Sequence, residues 1–376
     1  MSELVLMTGA SGFLGRRLLR AWLAGTDARV VACVRPRNGR SPAERLALAT
    51  NGHDPERRQA YRERVTVLAA DLAAPGLGLD AATADELAAS ITHIVHCGGV
   101  VRFDLPLAAA RRTNTAGTAA VLALARRCVR LRRLDHISTA FVAGDREGLV
   151  LESELDQGQE HHNSYERSKF EAELLVRAAA AELPVAVHRP SIITCDRRGG
   201  ELSPHGAVAR LMLAYAAGAL TGLPGRLAAR LDLVPADVVA DAVLALASRD
   251  ATIGGCFHLA AGPARATPLT AVRDLAAAHF QRPPLILDAA ADATDPQAPP
   301  VLLRDELSLY APYLAGGPDF DVTATTRALA GTGIAVPPLE QYFAELAHGV
   351  ARLAAAAGEK ARPGAGASPQ RGRPTA

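Results

Sequence analysis

Lysine is almost missing from this chain: of its 41 basic residues only Lys169 and Lys360 are lysine, the rest being arginine. Where a bare positive charge suffices this protein uses arginine, so a lysine that persists marks a place that wants a compact ammonium. Aromatic residues are scarce too, at 4% of the chain, and the formal charge is only +2. Neither the basic field nor the stacking platforms of a nucleic-acid binder are present, and no nucleic-acid partner is expected. The few cysteines, Cys33, Cys97, Cys128, Cys195 and Cys256, lie scattered in apolar stretches without the spacing of a zinc knuckle or a redox pair. They read as core packing in a reducing cytosol, with no metal site. The N-terminus passes from Met1-Ser2-Glu3 straight into an apolar strand without an export signal, so a cytoplasmic location is expected. The longest apolar run, Leu211 to Leu223, is shorter than the roughly 20 residues of a bilayer span and reads as a buried or interfacial helix. No transmembrane segment is expected.

What is present is alternation. From Leu4 to His188, short runs rich in β-branched residues alternate with longer stretches of helical period, the mark of βαβ units and a parallel sheet. Strands are predicted at Leu4–Thr8, Arg29–Val34, Val65–Ala69, His93–His96, Arg133–Ser138 and Val185–His188, and helices near Phe13–Ala24, Ala108–Arg127 and Tyr165–Ala181. After Pro190 the pattern loosens, with a helix near His205–Ala217 and another opened by Leu231-Asp232-Leu233-Val234-Pro235-Ala236-Asp237. The fold class is α/β: a Rossmann-type doubly wound parallel sheet with a smaller C-terminal substrate lobe. The expected division is residues 1–195, with 231–260 returning, as the nucleotide-binding domain, and residues 196–230 and 261–357 as the lobe. Residues 288–300, rich in Ala, Asp and Pro, read as a loop, and residues 358–376 as a disordered tail.

Thr8-Gly9-Ala10-Ser11-Gly12-Phe13-Leu14-Gly15 joins the first strand to the first helix. There the first glycine permits a tight turn, the second lets pyrophosphate approach the backbone, and the third allows close helix–strand packing. Phosphate then rests on a helix N-terminus, whose amides lack partners. Gly9, Ser11, Gly12, Phe13, Leu14 and Gly15 are the candidate contacts. The second strand ends in Val34-Arg35-Pro36-Arg37, with Arg40 and Arg45 following, where an enzyme holding NAD would show an acid for the ribose 2′-hydroxyl. Guanidinium groups there suit a 2′-phosphate, so NADP(H) is the expected cofactor. Asp71 and Leu72, just past the third strand, either face the adenine or cap their own loop.

Tyr165 and Lys169 are one helical turn apart and share a face. A phenol of pKa about 10 is a poor acid near neutrality, and a nearby ammonium is expected to lower that value. The lysine can meanwhile bond the nicotinamide ribose. Thr139, in Ser138-Thr139-Ala140, emerges at the carboxyl edge of the sheet, either to polarise a substrate carbonyl beside Tyr165 or to cap the next loop. Asn114, on the long fourth helix, is placed either to orient a proton-relay water or to satisfy backbone groups.

Gly9, Gly12, Gly15, Asp71, Asn114, Thr139, Tyr165 and Lys169, in this order, resemble an extended short-chain dehydrogenase/reductase over roughly Leu4 to Leu259. Further segments are similar to its thioester-reductase and fatty-acyl reductase branch: Cys33-Val34-Arg35 with Glu44-Arg45-Leu46, Leu77-Gly78-Leu79, His136 to Val142, Asn163 to Lys169, and Leu231 to Asp237. The resemblance implies reduction of CoA- or carrier-linked acyl thioesters by NADPH. It also implies that Arg35 and Arg45 hold the 2′-phosphate, that Thr139 joins Tyr165 at the substrate oxygen, and that Pro190 and Ser191 border the nicotinamide. One departure is His96-Cys97-Gly98-Gly99, where many relatives carry alanines or Asn-Ala, and Gly98 there is expected beside the cofactor. Many thioester reductases end a larger synthetase, whereas this chain starts at the first strand, so an acyl-carrier protein is expected in trans. Competing readings are a ketone or secondary-alcohol dehydrogenase of the hydroxysteroid or dihydroflavonol type, and a non-catalytic NADPH sensor. A sugar-nucleotide epimerase is disfavoured by Arg35.

Overall fold

The computed structural model describes residues 3–50, 55–204, 206–287 and 301–361. Seven parallel strands form its centre: β1 (Leu4–Thr8), β2 (Arg29–Val34), β3 (Val65–Ala69), β4 (His93–His96), β5 (Arg133–Ile137), β6 (Val185–Pro190) and β7 (Cys256–Leu259). Their order, β7-β6-β5-β4-β1-β2-β3, reverses direction at β1, where β4 pairs on one side and β2 on the other. Such a reversal opens a crevice at the carboxyl ends of the strands.

Apart from the edge strand β3, the strands are buried on both faces, as a sheet covered on both sides requires. Val5 and Met7 of β1 face one core together with α1 (Gly15–Gly25) and α8 (Ala236–Ala247), Trp22 being its largest buried side chain. Leu6 turns to a second core, shared with α5 (Leu107–Arg127) and α6 (Ser164–Ala179). On the β2 side, α2 (Pro42–Thr50), α3 (Pro55–Arg64) and α4 (Ala81–Ser90) complete the first half. A third core belongs to the C-terminal part, where α7 (Ala207–Ala216), α9 (Leu269–Phe280), α10 (Val301–Leu314) and α12 (Phe343–Ala361) pack Met212, Leu269, Leu314, Phe343 and Leu346 together. Short α11 (Thr323–Ala328) is held by Glu152, whose carboxylate accepts the Thr325 amide and hydroxyl and the His258 amide of β7.

Four sheet strands, β1 to β4, have the expected bounds. β5 stops one residue early, and β6 runs on to Pro190. The apolar run Leu211 to Leu223 is not one helix: α7 ends at Ala216, Gly218 adopts φ +75°, and Gly222–Leu223 forms a short strand with Ile286–Leu287. Helix α12 continues past Gly358, where a tail was expected to begin, to Ala361. The rest of that tail, the expected loop 288–300 and His205 lie outside the described residues.

Candidate active site

The glycine turn is fixed by contacts that leave no room for a side chain. Gly9 has φ +71°, and a Cβ on it would lie 2.7 Å from the Gly98 amide nitrogen. On Gly15 a Cβ would lie 2.0 Å from the Gly9 carbonyl oxygen. The Gly12 amide donates to the same oxygen at 2.8 Å, closing the turn, with Gly12 exposed and Ser11 half-buried. Leu14 points into the core, so it offers a ligand only its backbone, and the Phe13 ring carries the Arg17 guanidinium at 3.9 Å. Gly15→Ala is therefore expected to abolish dinucleotide binding in a fluorescence titration, because the obstacle is backbone on both sides.

Beneath the turn a chain of hydrogen bonds has a fixed direction. The Gly98 amide donates to the Thr8 hydroxyl at 3.0 Å, and Thr8 is paired with His96 Nδ1 at 2.7 Å. Thr118 donates to the Asn114 carbonyl, so it accepts from His96 Nε2 at 3.0 Å. His96 is thus neutral with its proton on Nε2, and burial holds its pKa down to about 3.

At the end of β2, Ser41-Pro42-Ala43-Glu44 starts α2 with a capping box, in which Glu44 accepts the Ser41 amide at 2.7 Å and its own amide reaches the Ser41 hydroxyl at 3.3 Å. This places Arg45 in the first turn, where it donates to the Arg35 carbonyl. Burial and the adjacent charges of Arg35 and Arg37 push Arg45 below its ordinary value. Three guanidinium groups thus converge at the strand end with Asp71, 3.6 Å from Arg35, as counter-charge. Asp71 also accepts the Ala73 amide at 3.0 Å, so it does cap its own loop. Leu72 is wedged between Gly98 and Gly117, where added Cβ atoms would meet it at 2.5 and 2.9 Å.

Tyr165 owes its place to the start of α6. Asn163 caps the helix, accepting the Glu166 amide at 3.0 Å, and Glu166 accepts the His162 amide at 2.9 Å in return. Tyr165 therefore sits in the first turn and Lys169 in the next. Lys169 is 6% exposed, donates to the Ile137 carbonyl at 2.8 Å, and is pulled down to about 8 by burial. Burial pushes the Tyr165 phenol up to about 12, against the opposing pull of the neighbouring Thr139 hydroxyl. This corrects the expected lowering of the phenol: desolvation outweighs its neighbours, and the phenol is held protonated. Thr139 also donates to the Pro190 carbonyl at 3.4 Å and accepts the Phe141 amide at 3.3 Å, so it caps a loop as well as meeting Tyr165.

Asn114 spends its amide on backbone and helix: Oδ1 accepts the Val100 amide at 2.8 Å, and Nδ2 donates to the Val100 carbonyl at 3.1 Å and to Ser168 at 2.9 Å. Of its two expected roles these contacts match the backbone-satisfying one, tying the loop after β4 to α6. Ser191 donates to Asp232 at 2.5 Å, whose carboxylate also accepts the Ala261 and Gly262 amides.

Sequence reasoning missed two groups. Glu173, one turn beyond Lys169, is fully buried, accepts from Ser138 at 2.6 Å and pairs with buried Arg189 at 2.7 Å, anchoring the residue before Thr139. The second is a wall of rings: Phe103 stacks on Tyr165 at 5.8 Å and touches Tyr310 and Tyr313 at 5.7 and 5.6 Å. No local pattern announces it. Among the described residues no cluster of His, Cys, Asp and Glu is arranged to hold a metal ion, and no helix is long and apolar enough to cross a membrane.

Residues 7–243 match the male sterility protein family of NAD-binding domains. The chain belongs to that family. That family model describes an NAD-binding domain. It is similar to a carboxylic acid reductase of Segniliparus rugosus, 33% identical over 64% of this chain and 23% of that protein. Another relative is fatty acyl-CoA reductase 1 of Gallus gallus, 28% identical over 65% of this chain and 54% of the relative. The chain thus spans about a quarter and about half of those two lengths. Among solved structures, the terminal R domain of the myxalamid PKS-NRPS biosynthetic pathway superposes with a TM-score of 0.77 at 27% identity, covering 92% of this chain and 91% of that one.

Proposed function

We propose that this member of the male sterility protein family reduces an acyl thioester, carried on CoA or on a carrier protein supplied in trans, using NADPH. The observation that carries the reading is the protonated Tyr165 phenol next to Thr139, with Phe103 stacked on its ring, at the sheet edge. The glycine turn suits a pyrophosphate: the Gly9 to Gly15 backbone would cradle it with Gly98 alongside, and Pro190 and Ser191 would border the nicotinamide. When bound, the cofactor supplies a hydride to the carbonyl carbon. Thr139 and Tyr165 then hold the oxygen as it gains charge, and Tyr165 gives it a proton, the general-acid role its raised pKa suits. Collapse of the tetrahedral adduct breaks the C–S bond, releasing thiol and aldehyde, which a second hydride would take to alcohol. Lys169 would bond the nicotinamide ribose. Names of relatives that act on fatty acyl-CoA or carboxylic acids support the substrate class.

The arginine cluster supports NADPH over NADH, since a 2′-phosphate would relieve the crowding of three like charges. Arg45→Ala is expected to weaken NADPH binding about 10- to 100-fold while leaving NADH within about twofold, as measured by competitive titration, one charge-assisted bond being worth that much. The function is tested by incubating enzyme and NADPH with octanoyl-CoA, an octanoyl-carrier thioester, octanal and 2-octanone. Ketone turnover with inert thioesters overturns the reading.

A further inference from the structure

Tyr313 lies at the end of α10, 148 residues past the catalytic tyrosine, and its hydroxyl closes the cap of the catalytic helix. It accepts from Asn163 Nδ2 at 2.7 Å and donates to the Glu166 carboxylate. Asn163 and Glu166 are the two halves of the α6 capping box, and Tyr165 lies between them in the first turn. The lobe therefore supplies a third member to a cap that otherwise is local. Burial and the Glu166 carboxylate push the Tyr313 phenol above its ordinary value, so it remains a donor.

The Tyr313 ring works on the other side. It meets Phe103 at 5.6 Å and Phe141 edge-on at 5.1 Å. Phe103 is the ring stacked on Tyr165, and Phe141 carries the amide that Thr139 accepts. One side chain thus touches the cap that seats Tyr165, the ring that covers it and the turn that holds its partner Thr139. In a chain with so few aromatic residues, this concentration at one point is not what a general core would produce.

We propose that Tyr313 is a positioning residue: its hydroxyl pins the lobe to the first turn of α6 and its ring holds Phe103 in place, so that the substrate carbonyl meets Tyr165 and Thr139 in reacting alignment. The inference rests on the thioester reading for its substrate but not for its geometry. Tyr313 touches no cofactor-binding residue described above, so its loss should spare nucleotide binding and strike the chemical step.

Tyr313→Phe keeps the ring and removes only the bridge. In single-turnover reduction of octanoyl-CoA with saturating NADPH, hydride transfer is expected to slow about tenfold or more, since small misplacements at a reacting centre are costly. The dissociation constant for NADPH is expected to stay within about twofold. Tyr313→Leu, which also frees Phe103, is expected to add a several-fold rise in KM for octanoyl-CoA that Tyr313→Phe does not show. A Tyr313→Phe enzyme with the wild-type transfer rate overturns the proposal, as does a loss of NADPH affinity parallel to the loss of rate, which would indicate general damage to the fold. Should the wild-type enzyme leave octanoyl-CoA untouched and reduce 2-octanone, the thioester reading fails alone, and the same comparison with the ketone decides the role of Tyr313.

Discussion

Tyr165→Phe is expected to lower kcat/KM for the reducible substrate by about 10³-fold while NADPH affinity changes by less than about twofold. Burial holds the phenol up to about 12, so at neutral pH it carries the proton that a developing alkoxide needs. Phenylalanine keeps the ring and its stacking on Phe103, leaving that wall undisturbed. What disappears is the acid and one of two donors at the oxygen, and Thr139 alone cannot replace the proton. Turnover measured beside a binding titration separates this from loss of fold. Unchanged turnover on a good substrate would instead mark the chain as a nucleotide-binding module without chemistry.

Lys169→Met should produce opposite effects on activity and stability. Turnover is expected to fall by about 10²-fold or more, because the ammonium that would orient the ribose is gone. Thermal stability is expected to rise. The lysine is 6% exposed and its pKa falls from 10.5 to about 8, so below pH 8 folding must bury a charge that water would solvate better. At about 1.36 kcal/mol per unit this penalty is on the order of 3 kcal/mol, offset by about 1 kcal/mol for the bond to the Ile137 carbonyl. A net gain of about 2 kcal/mol at pH 7 is expected for methionine. Between pH 8 and 10.5 the folded wild type sheds its proton before the unfolded chain does, so its penalty shrinks and the advantage of the variant should fade. Denaturant melts at pH 7 and pH 10 check both the sign and the trend. A destabilised variant at pH 7 would show that Lys169 holds the sheet edge together.

The fold was legible where local chemistry and tertiary fate agree. The runs from Leu4, Arg29 and His93 carry β-branched residues and are buried almost throughout, and the edge run from Val65 is β-branched and half-buried, so their bounds follow from composition. β7 escaped because Cys256-Phe257-His258-Leu259 is short and carries no β-branched residue, so only its pairing with β6 makes it a strand. The glycine turn and the Tyr165–Lys169 spacing are local motifs and were readable. Glu173, Arg189 and Asp135 were not, since charged residues are ordinarily surface residues. Each is fully buried here because a partner arrives from a distant segment, Asp135 being held by His93, His188 and Arg133. The Phe103–Tyr313 wall is of the same kind, assembled from segments some 200 residues apart. The direction of the Tyr165 shift was misjudged because spacing shows which charges are near but not how much water has been removed.

The return of β7 and α8 to the sheet has a consequence for how such a protein can be divided. A fragment severed at residue 195 would leave the β6 edge bare and strip the apolar face of α1 of its cover, inviting aggregation. Segments of the sheet and segments of the C-terminal core are interleaved rather than consecutive. Any swap of specificity between relatives must therefore graft segments into a retained scaffold and not join two halves end to end.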